Sequence, residues 1–132
     1  MHRHSLRVYI EDTDLAGIVY YANYLKFIER GRSEWVRGLG LDQMRLRDEA
    51  GIVFAVRRVE ADYLRPARLD DMLEVRTEVL VLGGARIELR QEIWRSEEIL
   101  FASLVTLVGM SLQGAAVRIP QELRGLFQPD QG

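Results

Sequence analysis

No cysteine occurs among the 132 residues, so disulfides, thiolate metal sites and a cysteine nucleophile are excluded. Lysine is nearly absent as well: the 18 basic residues are 17 arginines and Lys26, and against 20 acidic residues the formal net charge is −2. A chain with no basic excess does not neutralise many phosphates, which argues against general nucleic-acid binding and leaves room for one anionic ligand. Arginine's planar fork suits such single carboxylates or phosphates, although a codon bias toward arginine explains the preference more simply. Histidine is limited to His2 and His4. They precede the first apolar strand residues with no third ligand nearby, and read as solvated side chains rather than a metal site. No apolar run approaches the roughly 18 residues of a membrane span, and the N-terminal MHRHSLRVYI lacks the apolar core of a signal peptide. The expectation is a soluble, cytoplasmic protein without a metal or cofactor.

What is present is a chain 48% hydrophobic and 29% charged, long enough to bury a core in one domain spanning 1–132. It is organised around residues 11–37, EDTDLAGIVYYANYLKFIERGRSEWVR. Glu11, Asp12 and Asp14 bring three carboxylates to a turn containing Thr13 and Gly17. A helix then starts near Ala22, with Tyr24, Phe27, Ile28, Gly31, Trp35 and Leu39 recurring every three or four residues on one face. A helix start has unpaired N–H groups and a partial positive charge, so it polarises a carbonyl oxygen. A carboxylate just upstream of such a helix end suits acyl-transfer chemistry.

Before this stretch, Leu6 to Glu11 reads as a strand that delivers the chain to the carboxylate turn; with strand backbone continuing there, Asp12 and Asp14 would share a face and couple as like charges while Glu11 points away. After it, Gly38-Leu39-Gly40 ends the long helix, and Asp42 caps a short one over Gln43 to Ala50. The pattern then turns to strands: Ile52 to Leu64, Met72 to Leu82, Ala85 to Trp94 and Ile99 to Leu112, with Gly83-Gly84 as a hairpin. The last of these is apolar on both faces, as expected of a strand between the helix and a partner or second layer. Gly114 to Ile119 would extend the sheet, and Pro120 would open a short terminal helix. One early helix followed by antiparallel strands implies an α+β domain with its sheet wrapped around the helix.

The run DTDLAGIVYYANYLKFIERGR resembles the active-site signature of hot-dog-fold acyl-CoA thioesterases of the 4-hydroxybenzoyl-CoA thioesterase family. The branch it resembles most is the Tol–Pal-associated acyl-CoA thioesterases. DYLRPARLDDMLEVRTEV, downstream, supports the same likeness. The resemblance implies a hot-dog fold, a homo-oligomer (a dimer or a dimer of dimers) with sites at the dimer interface, and hydrolysis of acyl-CoA or acyl carrier protein thioesters. Coenzyme A is then part of the substrate rather than a cofactor. Asp14 matches the family's catalytic aspartate, acting as general base or as nucleophile. Tyr21 matches the residue whose backbone N–H faces the thioester oxygen, at a position where relatives usually carry His. Gly17, Val19, Tyr20 and Asn23 fall among the substrate-binding positions. The phosphates of the carrier call for Arg86, Arg57 and Arg58, although this chain lacks the basic hairpin cluster of some relatives. Glu29 stands where another hot-dog branch keeps its carboxylate, but beside Arg30 and Arg32 it reads as ion-paired or solvated. The alternative function is a non-hydrolytic acyl-carrier-protein-binding or scaffold protein of phospholipid and envelope metabolism.

Overall fold

Alternating apolar residues in the second half of the chain build one antiparallel sheet, and a helical stripe in the first half packs across it. The computed structural model describes residues 1–129; residues 130–132, the end of the expected 1–132 domain, lie outside the described part. The elements are β1 (His2–Arg7), α1 (Asn23–Gly38), α2 (Gln43–Ala50), β2 (Ile52–Tyr63), β3 (Met72–Leu82), β4 (Arg86–Arg95), β5 (Glu98–Ser111) and α3 (Gln121–Arg124). The strand order is β1-β3-β4-β5-β2, with every neighbouring pair antiparallel. This is the hot-dog arrangement, a sheet wrapped on the central helix α1.

Leu73, Val75, Leu89, Ile93, Phe101 and Val105 point to the helix side and are at most 1% exposed. Tyr24, Phe27, Ile28, Gly31, Trp35 and Val36 of α1 meet them. Each large apolar side chain buried this way contributes about 1.5–3 kcal/mol. Gln91 is wholly buried inside this contact beside the buried Thr77 and Ser103, and both ends of its amide are engaged. Gln91 Nε2 donates to Ile28 O and to Thr77 Oγ1 at 2.9 Å each, and its Oε1 accepts from Arg32 Nη1 at 2.9 Å. Satisfied in this way, it ties helix to sheet without an unpaired buried donor.

The helix comes close to β3 because Gly31 has no side chain. A Cβ there would lie 2.4 Å from Val75 Cγ1 and 3.0 Å from Val75 Cβ. Val75 is wholly buried and paired with both His4 and Ile93, so the strand cannot recede. Overpacking costs about 1–3 kcal/mol, of which a helix-propensity gain of about 1 kcal/mol offsets only part. Gly31→Ala is therefore expected to lower the thermal midpoint by several degrees. A midpoint at or above wild type would show that α1 can ride up on β3 without cost.

Three expectations fail at the edges of the sheet. The first strand is His2–Arg7, not Leu6 to Glu11, because the main chain leaves the sheet at Val8. There Val8 N–H donates to Asp71 O and Val8 O accepts from Asp70 N–H, and a 3-10 turn follows over Ile10–Asp12. His2 and His4 accordingly lie within β1, opposite Thr77 and Val75, instead of ahead of it. Gly114 to Ile119 adds no strand of its own; it lies along the end of β5 through the Met110–Ala116 bridge and the bond from Val117 N–H to Gly109 O at 2.9 Å, and Ile119 N–H donates to Gly84 O at 2.9 Å. The long strand β5 is covered on its helix face, while Leu104 on the other face is 45% exposed in the single chain. No helix among the described residues is long and apolar enough to cross a membrane.

Candidate active site

The three carboxylates do not line one strand face. Asp12 folds back, its Oδ2 accepting the Tyr9 N–H at 2.8 Å, and is buried. Asp14 lies beyond it in a separate tight loop and is exposed. The expected coupling of two neighbouring strand carboxylates therefore gives way to a division of roles: Asp12 closes a turn and Asp14 faces outward.

The Asp14 loop is built by its own backbone. Asp14 N–H donates to Ile18 O at 2.9 Å, Gly17 N–H donates to Asp14 O at 3.0 Å, and Asp14 Oδ1 accepts the Ala16 N–H at 2.8 Å. Gly17 has φ of +79° with nothing within 4 Å of a built Cβ. Its requirement is thus the left-handed backbone itself, which glycine adopts without penalty. With Oδ1 engaged by the loop, Asp14 Oδ2 enters no hydrogen bond among the described residues and is left toward solvent.

The loop is stitched to residues 65–71 and to the start of α1. Val19 N–H donates to Ala67 O at 2.8 Å, Ile18 bridges to Arg68, and Ala67 N–H donates to Tyr24 Oη at 3.0 Å. Burial is the main cause that pushes the Tyr24 phenol up from its ordinary value; the bond from Ala67 opposes this, and the Asp14 charge adds to it weakly. Tyr20 N–H donates to Asp12 O at 2.9 Å, Asn23 N–H donates to Tyr20 O at 2.8 Å, and Asn23 Nδ2 donates to Asp12 O at 2.9 Å. Among the described residues the Tyr21 N–H enters none of these bonds. Tyr21 O accepts the Tyr63 phenol at 2.9 Å.

The residues singled out by sequence thus separate into two groups. Asp14, Gly17, Tyr20, Tyr21 and Asn23 are together around the start of α1. Val19 is with them in sequence but its side chain is 3% exposed and belongs to the core. Arg58 and Arg86 pair in register with Thr106 and Val108, which lie on the sheet face turned away from α1. Each already has an acidic neighbour, Glu60 at 2.5 Å and Glu88 at 3.4 Å respectively. Arg57 sits at the β2 bulge between Val56 and Arg58. The single chain does not bring these arginines to Asp14. Glu29 accepts the Ser33 hydroxyl at 2.9 Å and, with Arg32, Trp35, Phe54 and Phe127, lines a cavity of about 230 Å³ that does not include Asp14. No cluster of three or more His, Asp or Glu able to hold a metal occurs among the described residues.

Two tyrosines outside the expected catalytic and substrate-binding set are tied to this turn and its neighbouring loop. Tyr63 lies in the quoted DYLRP segment, and Tyr24 reads from the sequence as a core or acyl-pocket aromatic on the buried helix face. Their hydrogen bonds span 42 and 43 residues, and no local spacing announces such a pairing.

Comparison with known proteins bears on the family and the fold. The family described as thioesterase superfamily matches residues 16–102. The acyl-CoA thioesterase YbgC of Haemophilus influenzae is 39% identical over 123 residues, which are 92% of this chain and 90% of that protein. A probable thioesterase from Bartonella henselae superposes with a TM-score of 0.86 at 37% identity, over 90% of this chain and 98% of that one. A mutant 4-hydroxybenzoyl-CoA thioesterase complexed with 4-hydroxybenzoyl-CoA superposes with a TM-score of 0.90 over 96% and 97% of the two chains. At 20% identity it speaks for the fold alone.

Proposed function

Since the chain belongs to the thioesterase superfamily and is an acyl-CoA thioester hydrolase, we propose that Asp14 activates the attack on the thioester carbonyl while the Tyr21 N–H stabilises the oxyanion. The observation that carries this reading is the pairing of an open carboxylate with an unengaged helix-start donor. Asp14 is tied to its loop by one oxygen only, and while the turn's hydrogen bonds consume the Tyr20 and Asn23 N–H groups, the Tyr21 N–H enters none of them.

In the general-base route, Asp14 takes a proton from water as the water oxygen adds to the carbonyl carbon. The negative charge moves to the carbonyl oxygen, where the Tyr21 N–H and the positive end of α1 hold it. Collapse of the tetrahedral species breaks the C–S bond, the leaving sulfur takes up the proton held by Asp14, and the free acid and the coenzyme A thiol are released with the carboxylate restored. In the nucleophilic route the Asp14 carboxylate adds directly and expels coenzyme A as its thiolate, leaving a mixed anhydride on Asp14, and water then opens the anhydride to the free acid and the Asp14 carboxylate. Both routes use the same two groups in the same places.

The working unit of this proposal is a homodimer. β2 is an edge strand of 12 residues, and Val56 and Val59, on its helix-side face, are 46% and 37% exposed. A long apolar edge left open is a pairing surface. The arginines set aside by the single chain, Arg57, Arg58 and Arg86, would then serve the phosphates of a coenzyme A bound across subunits.

The test is release of free thiol from short, long and aromatic acyl-CoA thioesters by the assembled protein, with sedimentation to establish its size. Turnover on at least one class is expected. Absence of turnover on all of them, with binding of acyl carrier protein, would favour a non-hydrolytic acyl-carrier-binding protein instead.

A further inference from the structure

We infer that Tyr63 is a positioning residue for the oxyanion donor: its phenol, donating to Tyr21 O, sets the backbone at Tyr21 and hence the aim of that residue's N–H. The inference rests on the proposed role of the Tyr21 N–H and adds to it a side chain from the far end of β2.

The peptide group that contains the Tyr21 N–H is restrained on one side, where Tyr20 O accepts from Asn23 N–H at 2.8 Å. The peptide group on its other side contains Tyr21 O. Helix geometry does not hold that oxygen: the Leu25 N–H, four residues on, donates to Ala22 O at 3.2 Å instead. The partner of Tyr21 O among the described residues is Tyr63 Oη at 2.9 Å. The φ and ψ of Tyr21 are therefore bracketed by two hydrogen bonds, one from Asn23 and one from a strand 42 residues away. A donor aimed at a developing oxyanion is effective only when its direction is set in advance.

The phenol is itself held. The Tyr63 ring packs edge-on against Tyr24 at 5.3 Å and Phe101 at 5.1 Å, and lies 6.2 Å from the Tyr21 ring. Partial burial foremost, then the neighbouring Tyr21 and Tyr24, pushes its phenol up from the ordinary value. It thus remains a protonated donor throughout the neutral range. The packing on Phe101 and Tyr24 does not depend on the hydroxyl, so Tyr63→Phe removes the hydrogen bond and leaves the ring contacts.

The experiment measures three quantities on Tyr63→Phe: kcat and KM for acyl-CoA, the thermal midpoint, and the carbon-13 shift of the Tyr21 carbonyl. The carbonyl shift should move, kcat should fall by about three- to ten-fold, as befits one lost hydrogen bond, and KM should stay within about twofold. The fractional loss should be the same for short and long acyl chains, with the midpoint unchanged. A carbonyl shift identical to wild type would overturn the inference, since the bond would then not exist in solution. A shifted carbonyl with unchanged kcat would overturn it too. So would a loss confined to KM or to one acyl length, because the hydroxyl would then be a substrate contact. The Asp14→Asn variant, assayed in parallel, separates failure here from failure of the wider reading. An active Asp14→Asn counts against Asp14 whatever Tyr63→Phe does, whereas an indifferent Tyr63→Phe leaves Asp14 untouched.

Discussion

Asp14→Asn is expected to lower kcat for acyl-CoA hydrolysis by about 10²–10⁴-fold, the range that one positioned acid–base group commands. The substitution is close to isosteric and retains an oxygen to accept the Ala16 N–H, now 2.8 Å from Asp14 Oδ1. The loop should hold its shape, and since Asp14 is exposed, stability should change by no more than about 0.5 kcal/mol. An amide can neither take a proton from water nor add to a carbonyl, so both routes are closed by the same change. KM should be nearly unaffected, because the loss is of an interaction made in the transition state. Thiol release, with circular dichroism and sedimentation matched to wild type, measures this directly. A variant that kept its rate would remove Asp14 from the chemistry and direct attention to Glu29, the carboxylate lining the cavity beside α1.

Much of this arrangement was legible in the residues because it follows from periods. The spacing of Tyr24, Phe27, Ile28, Gly31 and Trp35 gave α1 and its buried face, and all five are buried. Alternation located β3, β4 and β5 to within a residue of their observed ends, and the Asp42 cap on α2 is made through its carboxylate to Arg45 N–H at 3.1 Å. The resemblance carried by DTDLAGIVYYANYLKFIERGR gave the family. What escaped was decided by contacts between distant residues. The strand drawn through Leu6 to Glu11 ends early because Val8 pairs with residues 70 and 71, more than 60 positions away. Asp12 left the face it would have shared with Asp14 because its carboxylate found the Tyr9 N–H. The Gly83-Gly84 hairpin was placed correctly, yet neither glycine has a positive φ. What Gly84 faces is the Arg118 guanidinium, whose Nη1 would lie 3.1 Å from a Cβ there, and no local pattern predicts that neighbour. The same holds for the arginines, whose alternation gave a sheet face but not which face carries the helix.

Phe101→Ala should affect stability and catalysis together, because this ring joins the core to the turn that carries the proposed oxyanion donor at Tyr21. Phe101 is wholly buried in β5, opposite Tyr63 on one side and Ile93 on the other. It stacks on Tyr24 with centroids 5.3 Å apart and planes 12° from parallel, and meets Tyr63 edge-on at 5.1 Å. Truncation to alanine leaves a cavity and costs about 3–5 kcal/mol, a large share of the roughly 5–15 kcal/mol that holds a domain together. The thermal midpoint should fall by roughly 10–20 °C. Held well below that midpoint and still folded, the variant should lose kcat about tenfold or more, because two hydrogen bonds rest on the ring. Tyr63 Oη to Tyr21 O and Ala67 N–H to Tyr24 Oη both depend on where the two phenols are held, and one such bond is worth a factor of about three to ten. Phe101→Leu, which keeps most of the volume, should recover most of the stability but less of the activity, since a branched aliphatic chain offers no flat face for Tyr24. Equal recovery of both would reduce Phe101 to a packing residue. Recovery of stability alone would show that the catalytic turn is held in place from within the core.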